Sequence, residues 1–559
     1  MTRSVQIVER MRWMSALAGA TAVAIALALA LGAPSGQIRL VPNSSTGAAQ
    51  AAGSSAPLDP RIATLAAHRP DTPVQAIVQF NAPVSPAKAD SDAAGVHGRV
   101  IGNLPIIHGL ALSLTATQAR ALATNPDVHA VSLNTTVNTE SFPFHMIPGQ
   151  APSAAELQTT YDQTLGVLPL WKFGVTGTGV GVAVVDTGVD GALPDFATKN
   201  HSSSRVVASA VANADATTAT DSYGHGTDVA GIIAGNGDNR SQGDPLDGRY
   251  VGVAPNANLI SIKVSDETGK ASVLDVIYGL QFAVEHQSEF NIRVINLSLD
   301  STTPQSYKTD PLDAAVESVW MHGIVVVAAA GNLGNASNAV QFAPANDPYV
   351  VTVGGVDENG SANPSGDTIA TWSSRGTTQD GIQKPDVYAP GAHIVSVLAP
   401  DSVFATSCPT CVVGNGQYIQ TSGTSMAAPA ISGLVADLLQ IHPNWTPDQV
   451  KGDLTSSAVT ENSSFQEPNA VKAALLWNPA AADQGLTPSS LINTATGNIN
   501  YNLSSWSLSS WSRAKGPLRA GFALSSWSCK DCTASGGAGA SPSLGSWSLG
   551  SWSTVQPLG

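Results

Sequence analysis

The chain has 559 residues, of which 43% are hydrophobic and only 12% charged, with a formal net charge of −15. Such a composition suits a globular protein of more than one domain, and it excludes an ordinary nucleic-acid binder because no basic stripe is available to neutralise phosphates. The acidic balance favours solubility and leaves the fold open.

Residues 1 to 12 carry Arg3, Arg10 and Arg12, and an uncharged run then extends from Trp13 to Ala33 before Pro34. The pattern reads as a Sec-type export signal with a small-residue cleavage site at Ala30 to Gly32. About twenty apolar residues also suffice to span a bilayer. Segment 1–33 is therefore expected to be a signal peptide or a membrane anchor, and the chain to be secreted, with attachment to the cell surface left open. Residues 34–72 are rich in Ala, Ser, Pro and Gly without sustained periodicity and read as a linker. Beyond them, Val74–Phe80 and Leu110–Thr115 alternate as strands, Thr115–Val128 predicts a short Thr-capped helix, and a last strand starts at Val128. These elements make a small α+β unit over 73–140. Between Asn134 and Ser153 the chain turns polar and then Pro-rich.

From Gly179 to Gly191 runs a continuous apolar strand that carries Asp186 near its carboxyl end, the place where open α/β sheets put their sites. In Ser222–Gly231, His225 stands between two glycines and opens a helix ending near Ala234. Strand Ala257–Val264, Ser-capped helix Ser272–His286, strand Arg293–Leu299, helix 312–322 and strand Val325–Asn332 follow. Ser425 then opens an apolar, Ala-rich helix with Pro429 expected in its first turn, and Thr446–Ala458 reads as a capped closing helix. The alternation predicts an α/β fold, mainly a parallel sheet with helices on both faces. Asp186, His225 and Ser425 supply an acid, a base and a nucleophile in one of the chain orders known for the same charge-relay geometry. Free N–H groups at the start of the Ser425 helix would stabilise an oxyanion.

Four stretches, DTGVD at Asp186, GHGTDVAG at Gly224, VVVAAAGN at Val325 and GTSMAAP at Gly423, resemble the signature segments of the subtilisin-like serine proteases, the subtilases. The similarity runs from about Leu168 to about Thr460. It implies a subtilisin-like catalytic domain, set at 141–496, with Ser425 as nucleophile, His225 as base, Asp186 orienting the imidazole and Asn332 as side-chain oxyanion donor. It also implies that the backbone of Ser298 and Leu299 pairs with an extended substrate on one side and the segment around Gly269 to Ala271 on the other. AVQFAPAN, Ala339–Asn346, resembles the strand flooring the primary specificity pocket, with Phe342 near that floor and Pro344 a candidate cis proline. Unit 73–140 looks like the inhibitor-type propeptide of a self-processed zymogen, with its maturation cut between Asn134 and Ser153.

The resemblance implies no cofactor for the chemistry. The loop Gly235–Tyr250, with Asp238, Asp244 and Asp247, lies where many subtilases bind structural calcium. Its spacing matches no defined calcium pattern, so it reads first as a solvated acidic loop, and no metal ligand is assigned. Two positions depart from the family pattern. Asp228 replaces a frequent histidine, and Asp300 replaces a common glycine, where a preference for basic side chains and a solvent-facing position are both open.

From 497 to 559 the composition shifts to Ser, Gly, Leu and Trp, with SWS starting at 505, 510, 526, 546 and 551. No regular element presents a five-residue period on one face, so this tail reads as low-complexity sequence. Self-association, wall polysaccharide and the membrane interface are all open roles for its indoles. The four cysteines form two CxxC pairs, Cys408/Cys411 and Cys529/Cys532, too far apart for a zinc ribbon. Export favours disulfides, in any of three connectivities. The function expected is a secreted serine endopeptidase acting on protein or peptide substrates, with its own propeptide as inhibitor. The alternative is a surface-attached adhesive protein whose Trp-rich tail binds polysaccharide or self-associates.

Overall fold

The computed structural model describes residues 56–81, 85–139, 161–239, 248–461, 465–489 and 526–529. The expected export segment, the first part of the linker, most of the maturation segment, Asp244 and Asp247 of the acidic loop, and all of the tail but four residues lie outside them.

Residues 56–133 build an antiparallel sheet in the order β2-β3-β1-β4, from β1 (Pro73–Phe80), β2 (Arg99–Leu104), β3 (Gly109–Thr115) and β4 (Val128–Leu133). Its two faces have different partners, which follows from the period of two along a strand. Val74, Ala76, Val78 and Phe80 of β1 join Ile62, Leu112 and Val131 in a core of the unit's own. Ile77 instead belongs, with Ile101, Ile106, Ile107 and Ala111, to the large core that also holds Val273, Tyr278 and Leu312 of the following domain.

Two sequence expectations are corrected here. The stretch 56–72 is no linker, because Pro60–His68 is a helix and its Ile62 and Ala66 are buried. Asp59 caps it by accepting from Arg61 N–H, and Pro60 occupies the first turn, so a capping signal was present in the Asp-Pro pair. Arg61 also donates to Thr303 Oγ1 at 2.7 Å, which ties this helix to the following domain. The Thr115 helix carries the expected Thr cap, completed as a capping box by Gln118, but stops at Leu122, ahead of Asn125-Pro126, since a residue before proline avoids the helical region.

A further strand, β5 (Thr136–Thr139), leaves this unit and enters the larger α/β domain. There the elements are β6 (Gly181–Asp186), β7 (Val206–Val211), β8 (Asn258–Lys263), β9 (Lys270–Ser272), β10 (Ile292–Leu297), β11 (Leu299–Ser301), β12 (Val325–Ala329) and β13 (Val351–Asp357). The central strands run β13-β12-β10-β6-β8-β7 and are parallel throughout. Every residue of β6 and of β12 is buried, which requires cover on both sheet faces. The helices His225–Ala234 and Thr424–Ile441 pack together as one pair, Val273–Glu285 and Pro311–Met321 as another. Thr424–Ile441 is long and apolar enough to cross a membrane, yet 89% of it is buried, so it is a core helix.

The stretch Ala339–Asn346 forms no strand. Pro344 cannot donate to a ladder, and Asn346 N–H bonds back to the Phe342 carbonyl at 3.1 Å, closing a turn in which Phe342 makes only an isolated bridge to Pro304. The Ala343–Pro344 peptide is cis, and so is Lys384–Pro385, which the sequence reading did not anticipate. Cys408 and Cys411 are bonded to each other. In the tail, Ser526–Cys529 pairs antiparallel with β7, a regular pairing where low-complexity sequence was expected; an edge strand offers its free backbone groups to any extended segment.

Candidate active site

Asp186 ends β6, so its carboxylate emerges at the carboxyl edge of the parallel sheet. Its Oδ1 accepts from Thr187 N–H and lies 2.7 Å from His225 Nδ1, and both side chains are completely buried. The glycines around His225 are steric requirements. Gly224 has φ of 106°, and a Cβ there would stand 2.7 Å from Ser402 Oγ; a Cβ on Gly226 would stand 2.1 Å from the Gly188 carbonyl. Asp221, which sequence reasoning missed, fixes the same turn. It accepts from Gly224 N–H, Thr227 N–H and the Thr187 and Thr227 hydroxyls at 2.7 to 2.8 Å.

Burial disfavours a charge on the His225 ring, but the Asp186 carboxylate beside Nδ1, with Asp228 and Asp221 behind it, outweighs burial and holds the imidazole above its usual value. With Nδ1 held this way, Nε2 is the ring nitrogen left to accept a proton. Among the described residues Nε2 has no hydrogen-bond partner. Phe404 stands edge-on to the ring with centroids 5.8 Å apart.

Ser425 is the second residue of its helix, fully buried, with Oγ 3.4 Å from the Ser298 carbonyl. Pro429 lies in the second turn, not the first. Its missing N–H would have bonded the carbonyl four residues back, that of Ser425. Ser298 Oγ donates to that carbonyl instead at 2.9 Å, and Ser298 in turn accepts from Asn296, whose amide oxygen accepts from Ser432. Ser298 therefore supports the start of the Ser425 helix through its hydroxyl while its carbonyl faces Ser425 Oγ. Neither the freed carbonyl's new donor nor the part of Asn296 was legible in the motif.

Asn332 follows β12. Its amide oxygen accepts from Thr424 N–H at 3.0 Å, and since that backbone group can only donate, the amide orientation is fixed. The Nδ2 group is thereby turned to the Gly423 side, 3.4 Å from where a Cβ on that glycine would stand. Thr424 Oγ1 closes the arrangement by accepting from Gly331 N–H.

Beside these groups, β5 lies between two strands and is antiparallel to both. Leu299, Asp300 and Ser301 of β11 face Thr139, Asn138 and Val137, while Lys270, Ala271 and Ser272 of β9 face Asn138, Val137 and Thr136. Leu299 is thus in the ladder. Gly269 is not; it turns the chain just before β9 at φ of 83°, where a Cβ would meet the Tyr223 ring at 2.7 Å. Phe342 is half-buried at its bridge to Pro304. Asp300 does not face solvent, being 7% exposed with its carboxylate packed over Gly331, the residue before Asn332. Among the described residues no group of three or more His, Cys, Asp or Glu is placed to hold a metal ion.

Residues 177–507 match the family model described as "Subtilase family". Serine protease AprX of Bacillus subtilis is 38% identical over 300 residues, which is 53% of this chain and 64% of that protein. Subtilisin E of the same organism is 35% identical over 293 residues, 52% of this chain and 64% of the relative. The match thus spans a little under two thirds of each relative's own length. Among solved structures, fervidolysin from Fervidobacterium pennivorans, a keratinolytic enzyme related to subtilisin, superposes with a TM-score of 0.55 at 26% identity, over 73% of this chain and 62% of the other. The family match covers more than half of the chain and takes in all three segments that carry the carboxylate, the imidazole and the hydroxyl, so this protein belongs to the subtilase family.

Proposed function

We propose that this chain is a secreted serine endopeptidase, made as a zymogen that cuts itself, and that it hydrolyses peptide bonds through an acyl-enzyme. The observation that carries the reading is the pairing of an oriented imidazole that has one ring nitrogen unused with a strand held between two others. His225 is held by Asp186 at Nδ1 with Nε2 unused, and β5 lies in a two-sided backbone ladder next to Ser425.

In the reaction, Ser425 Oγ attacks the substrate carbonyl carbon while His225 Nε2 takes the hydroxyl proton and later returns it to the leaving amine. Asp186 keeps the other ring proton on Nδ1 and stabilises the imidazolium. Asn332 Nδ2 and the backbone N–H of Ser425, at the positive end of its helix, receive the oxyanion. Water then cleaves the ester by the same proton relay. Substrate recognition is strand addition between β9 and β11, which reads the backbone of any extended peptide. Residues 136–139 hold that place in the uncut chain and so act as its inhibitor.

Incubating the purified chain with phenylmethylsulfonyl fluoride and mapping the adduct tests the reading. Sulfonylation confined to Ser425, with loss of peptide hydrolysis, is expected; hydrolysis that survives full modification would refute it.

A further inference from the structure

Asp228 is completely buried, one turn along the helix that His225 opens. Its Oδ2 accepts from Thr421 Oγ1 at 2.9 Å, and Thr421 closes the strand Tyr418–Thr421, four residues before Ser425. The Asp228 backbone carbonyl accepts from Ser396 Oγ at 2.7 Å, on the neighbouring strand Ile394–Val397. Oδ1 has no hydrogen-bond partner among the described residues. A fully buried carboxylate with one donor is costly, and a nearby group that can carry a positive charge offsets part of that cost.

We propose that Asp228 is a positioning residue that fastens the base-bearing helix to the strand leading into the nucleophile and, through its charge, sets how readily His225 holds a proton. The inference rests on the protease reading for its kinetic test. The titratable groups facing the pair are Asp186 at the end of β6, Asp221 in the turn before the helix, and Tyr161. Asp186 has two partners and Asp221 four, whereas the Asp228 carboxylate has Thr421, with the Ser396 hydroxyl close by. Burial pushes Asp228 up to about 7, against the pull of Thr421 and His225, so its charge changes in the range where histidines titrate. When ionised it favours the imidazolium; when neutral it releases the ring to act as base at lower pH.

Asp228→Asn keeps an oxygen for Thr421 and removes the charge. The acid limb of kcat/KM should move to lower pH by roughly half a unit to one unit. Thr421→Val keeps the carboxyl but removes its donor, which makes ionisation harder, so its limb should move the same way by less. A purely structural role would scale the whole profile and leave the midpoint in place. An unmoved midpoint in Asp228→Asn, or in Thr421→Val should the first variant not fold, overturns the proposal. The His225 imidazole titration, followed by NMR in Ser425→Ala protein with and without Asp228→Asn, reads the same coupling without hydrolysis. A shifted titration, found together with a parent chain that hydrolyses no peptide although Ser425 is intact, would sink the protease reading and leave the coupling standing.

Discussion

Two clusters of buried charge in the catalytic domain are built to opposite ends. At one, Lys384 Nζ bonds Asp386 at 2.7 Å and the Val350 carbonyl at 3.2 Å. Lys451 Nζ beside it bonds Asp483 at 3.1 Å and the carbonyls of Pro348 and Tyr349. Burial favours the neutral form of Asp386, but the two ammonium groups overcome it and hold the carboxyl below its usual range. At the other cluster, Asp186, Asp221 and Asp228 surround one imidazole, and His225 Nε2, Asp186 Oδ2 and Asp228 Oδ1 have no hydrogen-bond partner among the described residues. Burial of charge is thus common to both and identifies neither. What differs is the balance of charge: two ammonium groups answer the carboxylates of the clamp, whereas a single imidazole stands among three carboxylates at the candidate site.

Substitutions on the two sides should part stability from activity. The largest effect expected is that of Ser425→Ala, which should lower turnover by about 10⁶, the scale seen on removing the nucleophile of a subtilase, while thermal unfolding stays within a few degrees of the parent. A variant retaining even a thousandth of the parent's turnover would move the nucleophile elsewhere. On the clamp side, Lys451→Met strands Asp483 and two carbonyls and should cost about 3–5 kcal/mol in urea unfolding, with kcat unchanged wherever the protein is folded. If stability holds and kcat falls, the clamp belongs to the site and the contrast fails. Smaller in free energy is Asn332→Ala, expected to reduce kcat by about 10²–10³ with KM nearly constant, because the amide is needed chiefly as charge develops on the oxygen. A rise in KM at constant kcat would make Asn332 a ground-state contact.

The smallest effect is a pH dependence shared by neither cluster. Asp453 is fully buried in the helix Pro447–Ser457, both its oxygens lack a partner among the described residues, and burial alone pushes it up to about 8. The folded state therefore binds a proton that the unfolded chain releases near pH 4, so stability is greatest below that value and declines as pH rises towards 8. Asp453→Asn should flatten the fall of Tm between pH 5 and 8 by a few degrees. Parallel Tm curves for the two proteins would show that Asp453 is not a source of the slope.

The candidate site residues were legible because each sits inside a short contiguous motif whose chemistry is local. A Gly-His-Gly turn opening a helix, or a strand ending in Asp-Thr-Gly, states its backbone demands in its own residues. Asp221 and Thr421 are not legible in that way, since each acts on a partner far along the chain or through a turn whose shape the sequence leaves unspecified. The helix Pro60–His68 was obscured by Ala-rich composition that matches a linker equally well, and its Asp-Pro cap is a single weak signal. The strand expected at Ala339–Asn346 rested on a resemblance alone, which did not weigh that Pro344 cannot donate to a ladder.

By itself the sequence determined the parallel α/β architecture, through continuous apolar strands alternating with capped amphipathic helices, and it singled out Asp186, His225, Ser425 and Asn332 as the candidate site residues. Periodicity and local motif chemistry act over a few residues, and these features need no more. Only the tertiary structure decided that Thr136–Thr139 lies between β9 and β11, that Ser298 rather than a helical donor satisfies the Ser425 carbonyl, and that Asp228 meets Thr421. Each of those joins residues more than a hundred positions apart, and such contacts are set by how the sheet orders its strands and how helices pack on it, which no window of sequence encodes.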